Sequence, residues 1–181
     1  AHRLSLNPLR HIDWLGLIMM VAAGFGWAKP VPVDPRYFRK PKQGMALTAL
    51  AGPVSNVVLA YAAVVLCNFV IFLADRLGST WLLLALAQFF VYVEIISAGL
   101  AVFNVFPIPP LDGSKVLFAV LPDAWYGKLM RYERFGMVLL AVLLLTGVLD
   151  TPLSFLRDGL TGALEAIGTW PANLILNAFG A

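Results

Sequence analysis

Asn104-Val105-Phe106-Pro107-Ile108-Pro109-Pro110-Leu111-Asp112-Gly113 follows about two dozen mostly apolar residues and leads into another apolar run. Pro107, Pro109 and Pro110 remove backbone donors and fix φ, so no regular helix continues through this stretch. It ends on one carboxylate, Asp112, followed by Gly113, which permits a tight turn. From the residues alone, this is an interfacial turn between two apolar helices with Asp112 capping the second, or a rigid loop that presents an acid for chemistry.

Working outward, the composition is that of a polytopic membrane protein. The 181 residues are 60% hydrophobic and 13% charged, about half the charged share of a soluble domain. Upstream, Met45 to Leu73 is nearly all apolar and rich in small residues, and reads as a membrane helix longer than a bilayer requires, expected to tilt or emerge. Gly52, Ser55 and Asn56 share one face of it, suited to close helix packing or to directing Asn56 into a site. Trp81 to Phe103 is a second span carrying Gln88 and Glu94; an acid in mid-span is a candidate functional group, although pairing with another helix is its commoner use. Downstream, Lys115–Leu121 is a short apolar helix or interfacial segment, and the region 133–149 a third span. The segment from Thr151 is amphipathic or weakly spanning.

The N-terminal part is less regular. The run Trp14–Trp27 is too short for a ~30 Å core and suits a re-entrant or partly extended segment. Lys29–Arg36, with proline every two or three residues, reads as extended. The chain is thus expected to be an all-α membrane domain over 1–181: an interfacial or re-entrant segment and basic loop (1–44), a core (45–121) and accessory helices (122–181). It has three transmembrane helices.

Charge sets the orientation. Five Lys/Arg lie in 29–42 and four in 115–134, against Arg76 alone in 74–80 and Arg157 alone after 150. The positive-inside rule puts the two rich regions, and Asp112 with them, on the cytoplasmic side. The basic loop lacks the aromatic platform or paired stripe of a nucleic-acid site and reads as a cytoplasmic juxtamembrane loop beside the lipid bilayer. Cys67 excludes an intrachain disulfide and reads as a small buried side chain. No serine stands at motif spacing from a histidine, so a Ser-His-Asp site has no support. His2 and His11 could join Asp112 around a metal, but they lack the helical spacing usual for a catalytic zinc pair; surface and interfacial roles suit them better.

Three segments together resemble the site-2 protease family of intramembrane zinc metalloproteases. These are "FNVFPIPPLDGSKVL" (103–117), similar to the family's Asn-Pro…Leu-Asp-Gly signature; "AGPVSN" (51–56), similar to its Gly-x-x-x-Asn motif; and "LSLNPLRHID" (4–13) with the proline-rich stretch through residue 53, similar to its bacterial branch. The resemblance implies that Asp112 is the third zinc ligand and that Asn56 and Asn104 position substrate or stabilise an oxyanion. Gly52, Pro107 and Gly113 are the structural motif residues, and residues 14–34 belong to the wall of the site. It implies hydrolysis of peptide bonds in or near transmembrane segments, with zinc as cofactor, in a bacterial inner membrane. One departure is large: the family's His-Glu-x-x-His, which carries the other two ligands and the general base, occurs nowhere in these residues. With a start at Ala1 rather than Met, a protease shown without its first helix is expected, inactive as it stands. A non-catalytic relative that binds membrane partners is the alternative, ahead of a small transporter using Glu94 and Asp112, for which no internal repeat is visible.

Overall fold

The computed structural model describes residues 12–23, 33–122 and 135–178. The described residues are helical throughout, apart from turns and short irregular links. They fall in two units, 1–37 and 38–181.

In the first unit, helix α1 spans Trp14–Ala23. Asp13 starts it by accepting hydrogen bonds at Oδ1 from the backbone N–H groups of Leu15 (3.0 Å) and Gly16 (3.2 Å). An acid just before an apolar run is an ordinary helix start, and residues 14–23 are helical rather than partly extended. At about 15 Å, α1 is too short to cross a bilayer. The end of the proline-rich stretch turns rather than extends: Pro35–Tyr37 is a single 3-10 turn. Asp34 closes it, accepting from the Arg36 backbone N–H and from its guanidinium at 2.8 Å. That side-chain bond holds the Asp34 carboxyl below the usual carboxylate range. Residues 24–32, with the first prolines of the stretch, lie outside the described residues, as do both histidines.

The second unit is built on a helical hairpin. Helix α2 runs Pro41–Leu77, about 55 Å, with a proline in its first turn where the missing N–H costs nothing. Helix α3 runs Trp81–Val105, and Thr80 caps it by accepting from the Leu83 N–H at 3.4 Å. Both are long and apolar enough to cross a membrane. Their contact is made by small side chains. On α2 the buried positions are Ala49, Pro53, Ala60, Ala63, Val64, Cys67, Val70 and Ala74, which recur at helical spacing along one stripe. On α3 they are Glu94, Ser97, Ala98 and Ala101. Small residues let the backbones approach where lipid provides no hydrophobic drive, and the Cys67 thiol reaches the Ala87 carbonyl across the contact.

Helix α4 (Asp112–Val120) lies back along α2. Its first residue meets Gly52, and beyond its last the Leu121 carbonyl accepts from Lys42 Nζ at 3.0 Å. That contact ties the end of α4 to the first turn of α2, at the end of the hairpin away from the turn at residues 78–80. Helix α5 (Phe135–Leu145) and helix α6 (Asp150–Ala178) meet at an 86° bend. Gly147 makes that bend with φ +69°, a conformation L side chains rarely adopt. Leu160, Leu164 and Gly168, one turn apart on α6, pack on Ala60, Val64 and Ala98 of the hairpin. The bent pair counts as one further span if it is a single broken crossing, so the spans number two or three, against three expected.

Two glycines fix the proline loop. A Cβ on Gly113 would run into the Val105 and Phe106 carbonyl oxygens at the end of α3, and one on Gly136 into the Pro109 ring and carbonyl. Gly113→Ala is therefore expected to cost about 1–3 kcal/mol, read as a lowered melting temperature in detergent. Gly99→Ala, whose Cβ would meet nothing within 4 Å, should cost nothing and serves as the control.

Candidate functional site

Asp112 occupies the first turn of α4, but it does not cap the helix. The cap position is Leu111, and no side chain accepts from the first N–H groups there. Ser114, fully buried, instead turns its hydroxyl onto the Leu111 carbonyl at 2.7 Å. The capping role that residue types allowed is thus absent, and the Asp112 carboxylate is directed elsewhere.

Its two oxygens have distinct surroundings. Oδ1 accepts from Lys115 Nζ at 2.9 Å, an i,i+3 pair on α4. Oδ2 faces α2 at Gly52, 3.5 Å from where a Cβ would stand. Because Gly52 has none, the carboxylate oxygen looks onto bare helix backbone. A third of the Asp112 side chain remains exposed, so the group is neither sealed in the core nor fully solvated.

Gly52 lies where α2 is least regular. Pro53 supplies no N–H for the Ala49 carbonyl, and Ser55 returns its hydroxyl to the Gly52 carbonyl at 2.7 Å. Asn56 follows one turn along the same face, partly buried, with no side-chain hydrogen bond among the described residues. The inter-helix bond that would have made it a packing residue is therefore missing there. Asn104, in the last turn of α3, donates from Nδ2 to the Leu100 carbonyl at 2.9 Å, which leaves the amide one further N–H. The hairpin register, with Cys67 opposite Ala87, puts Asn104 at about the level of Gly52.

The structure thus brings together Gly52, Asp112, Gly113 and the end of α3, with Asn104 level with them and Asn56 one turn away. Pro107 is exposed in the loop that joins them. Glu94 is not in this group. It is 6% exposed on the hairpin contact, with Oε1 unpartnered among the described residues. By the same register it lies about eight residues, or ~12 Å, further along the hairpin. Lys115, which by sequence is only one positive charge among four in 115–134, is the one side chain among the described residues bonded to the Asp112 carboxylate. The Asp-x-x-Lys spacing at a helix start was the signal for it.

A carboxylate oxygen open to an unfilled space is a donor that zinc accepts, so Asp112 fits as one ligand. Among the described residues, no three His, Cys, Asp or Glu side chains gather closely enough to hold a metal.

Comparison with known proteins points the same way. Residues 70–148 match the model of Peptidase family M50. Over 147 residues, 80% of this chain, the sequence is 37% identical to the "Putative zinc metalloprotease YwhC" of Bacillus subtilis, of which it covers 65%. It is 35% identical over 105 residues, 57% of this chain, to a protein of the same description from Methanocaldococcus jannaschii, of which it covers 49%. The chain therefore spans 65% and 49% of the length of these two relatives. No solved structure matches it.

If the space beside Asp112 Oδ2 is used, Gly52→Ala should separate stability from binding. The methyl fits at 3.5 Å and favours the helix by up to ~1 kcal/mol, so the melting temperature should hold or rise. Zinc bound by the purified full-length protein, measured by elemental analysis, should fall; undiminished zinc would show that the gap has no part in binding.

Proposed function

We propose that this relative of Peptidase family M50, the site-2 protease family, forms the membrane core of an intramembrane zinc metalloprotease that hydrolyses peptide bonds in or near transmembrane segments. The observation that supports it most directly is the meeting of two separate sequence motifs at one place. The Leu-Asp-Gly carboxylate faces the first residue of Gly-x-x-x-Asn, 3.5 Å from its missing Cβ. In this reading Asp112 would be one of the residues that hold zinc. The other two ligands and the general base come from a His-Glu-x-x-His helix of the full-length protein, since no such motif occurs in these residues. The coverage of the relatives, 65% and 49%, leaves room for that helix.

Zinc, when bound, supplies Lewis-acid polarisation of a carbonyl and brings the pKa of bound water towards ~7. The chain's own residues do the rest. Asn104, its amide oriented by the Leu100 carbonyl, offers its remaining N–H to the scissile carbonyl oxygen, a donor whose contribution grows as charge develops there. Asn56, one turn from Gly52, offers donor and acceptor to the backbone of an unwound substrate segment. The proline loop between α3 and α4 can be irregular at membrane depth because it is packed on Gly113 and Gly136 rather than on lipid. In this reading the chain crosses a bacterial inner membrane three times, with α5 and α6 as one broken span, and the excess of Lys and Arg in 29–42 and 115–134 supports a cytoplasmic position for those regions. Substrates are membrane proteins, and the bilayer is the solvent.

The decisive test uses the full-length protein. Asp112→Ala should lose bound zinc and abolish cleavage of a transmembrane substrate; cleavage at the wild-type rate would remove Asp112 from the site. Asn104→Ala should lower turnover about 100-fold while retaining zinc. Zinc loss equal to that of the Asp112 variant would instead make Asn104 a structural part of the metal site.

A further inference from the structure

We propose that Lys115 is the positioning residue for Asp112: its ammonium holds Oδ1 so that Oδ2 is the oxygen presented for metal binding. This rests on the reading of Asp112 as a zinc ligand. The geometry that carries it is the division of labour on one carboxylate. Lys115 Nζ lies 2.9 Å from Oδ1, while Oδ2 faces the unfilled space at Gly52. A free aspartate at the start of a helix rotates about χ1 and χ2. Here one oxygen is tied to a residue one turn along α4, whose own start is fixed by the contact of Gly113 with the end of α3. Ligating carboxylates are commonly held in this way by a hydrogen bond on the non-ligating oxygen, and loss of such a partner typically weakens metal binding 10- to 100-fold.

The sign of the effect separates this role from its rivals. A lysine near a metal dication repels it, so by charge alone its removal would tighten binding. A lysine that merely neutralised Asp112 until the metal displaced it would likewise give tighter binding once removed. Only a residue that holds the ligand in place predicts a loss. Lys115 keeps 35% of its side chain exposed, so its replacement leaves no buried cavity.

The test uses full-length protein in detergent, with zinc affinity measured by competition against a chromophoric chelator and helical content checked in parallel. Lys115→Met, which keeps most of the stem, should weaken zinc binding about 10- to 100-fold. Lys115→Arg should recover most of that loss. In an Asp112→Asn background, Lys115→Met should change nothing further. Zinc binding by Lys115→Met that is unchanged or tighter overturns the proposal, as does failure of Lys115→Arg to recover binding. If Asp112→Asn alone binds zinc as tightly as wild type, the ligand assignment fails and this proposal with it. Loss in Asp112→Asn with no loss in Lys115→Met overturns only the role of Lys115.

Discussion

The absence of one Cβ, at Gly113, governs the geometry around Asp112. After α3 the chain must reverse within six residues, 106–111, to lay α4 along α2. Three prolines stop the helix, but stopping it does not decide where the next one begins. That is decided by how closely the start of α4 approaches the Val105 and Phe106 carbonyls, an approach only glycine allows. Once α4 starts there, Asp112 is next to Gly52, and Lys42 at the other end ties down Leu121. A second glycine, Gly136, extends the device by letting α5 lie against Pro109. The reversal is therefore packed on both sides by backbone contacts, which suits a chain that has to keep irregular structure away from lipid.

The parts legible in the sequence were those fixed by strong local chemistry. Proline spacing ended α3 at the right place, and long apolar runs gave α2 and α3 within a few residues. The short polar break at 78–80 separated the two spans where the hairpin turns. What was not legible depended on distances between segments. Asp112 had the residue type for a cap, and only the backbone at Leu111 shows that it is not one. Lys115 counted as a positive charge because nothing in its own neighbourhood distinguishes a bonded lysine from a solvated one. The bend at Gly147 is likewise invisible in a run of Leu and Val, where one glycine among apolar residues is ordinary in a membrane helix. Asp13 and the 3-10 turn at Pro35–Tyr37 belong to a middle case. Their signals were present, an acid before an apolar run and Asp-Pro-Arg, but they were outweighed by the low helical expectation of the surrounding glycines and prolines.

Glu94 and Asp112 both lie against the hairpin, and their surroundings differ in the properties that metal chemistry requires. Glu94 is 6% exposed among Ser97, Ala98 and the small residues of α2, with one oxygen unpartnered among the described residues. An ionised carboxylate so placed carries a large desolvation penalty with little to offset it. A metal there would need a route through a contact made of alanines, which small-residue packing closes. Asp112 is a third exposed and has a cation on one oxygen. Its other oxygen opens on a backbone without a side chain. Burial alone would have ranked the two acids in the wrong order. What distinguishes Asp112 is a charge compensated by Lys115 on its own helix, beside an open space that follows from the glycines at positions 52 and 113, whose missing side chains let α2, α3 and α4 come together.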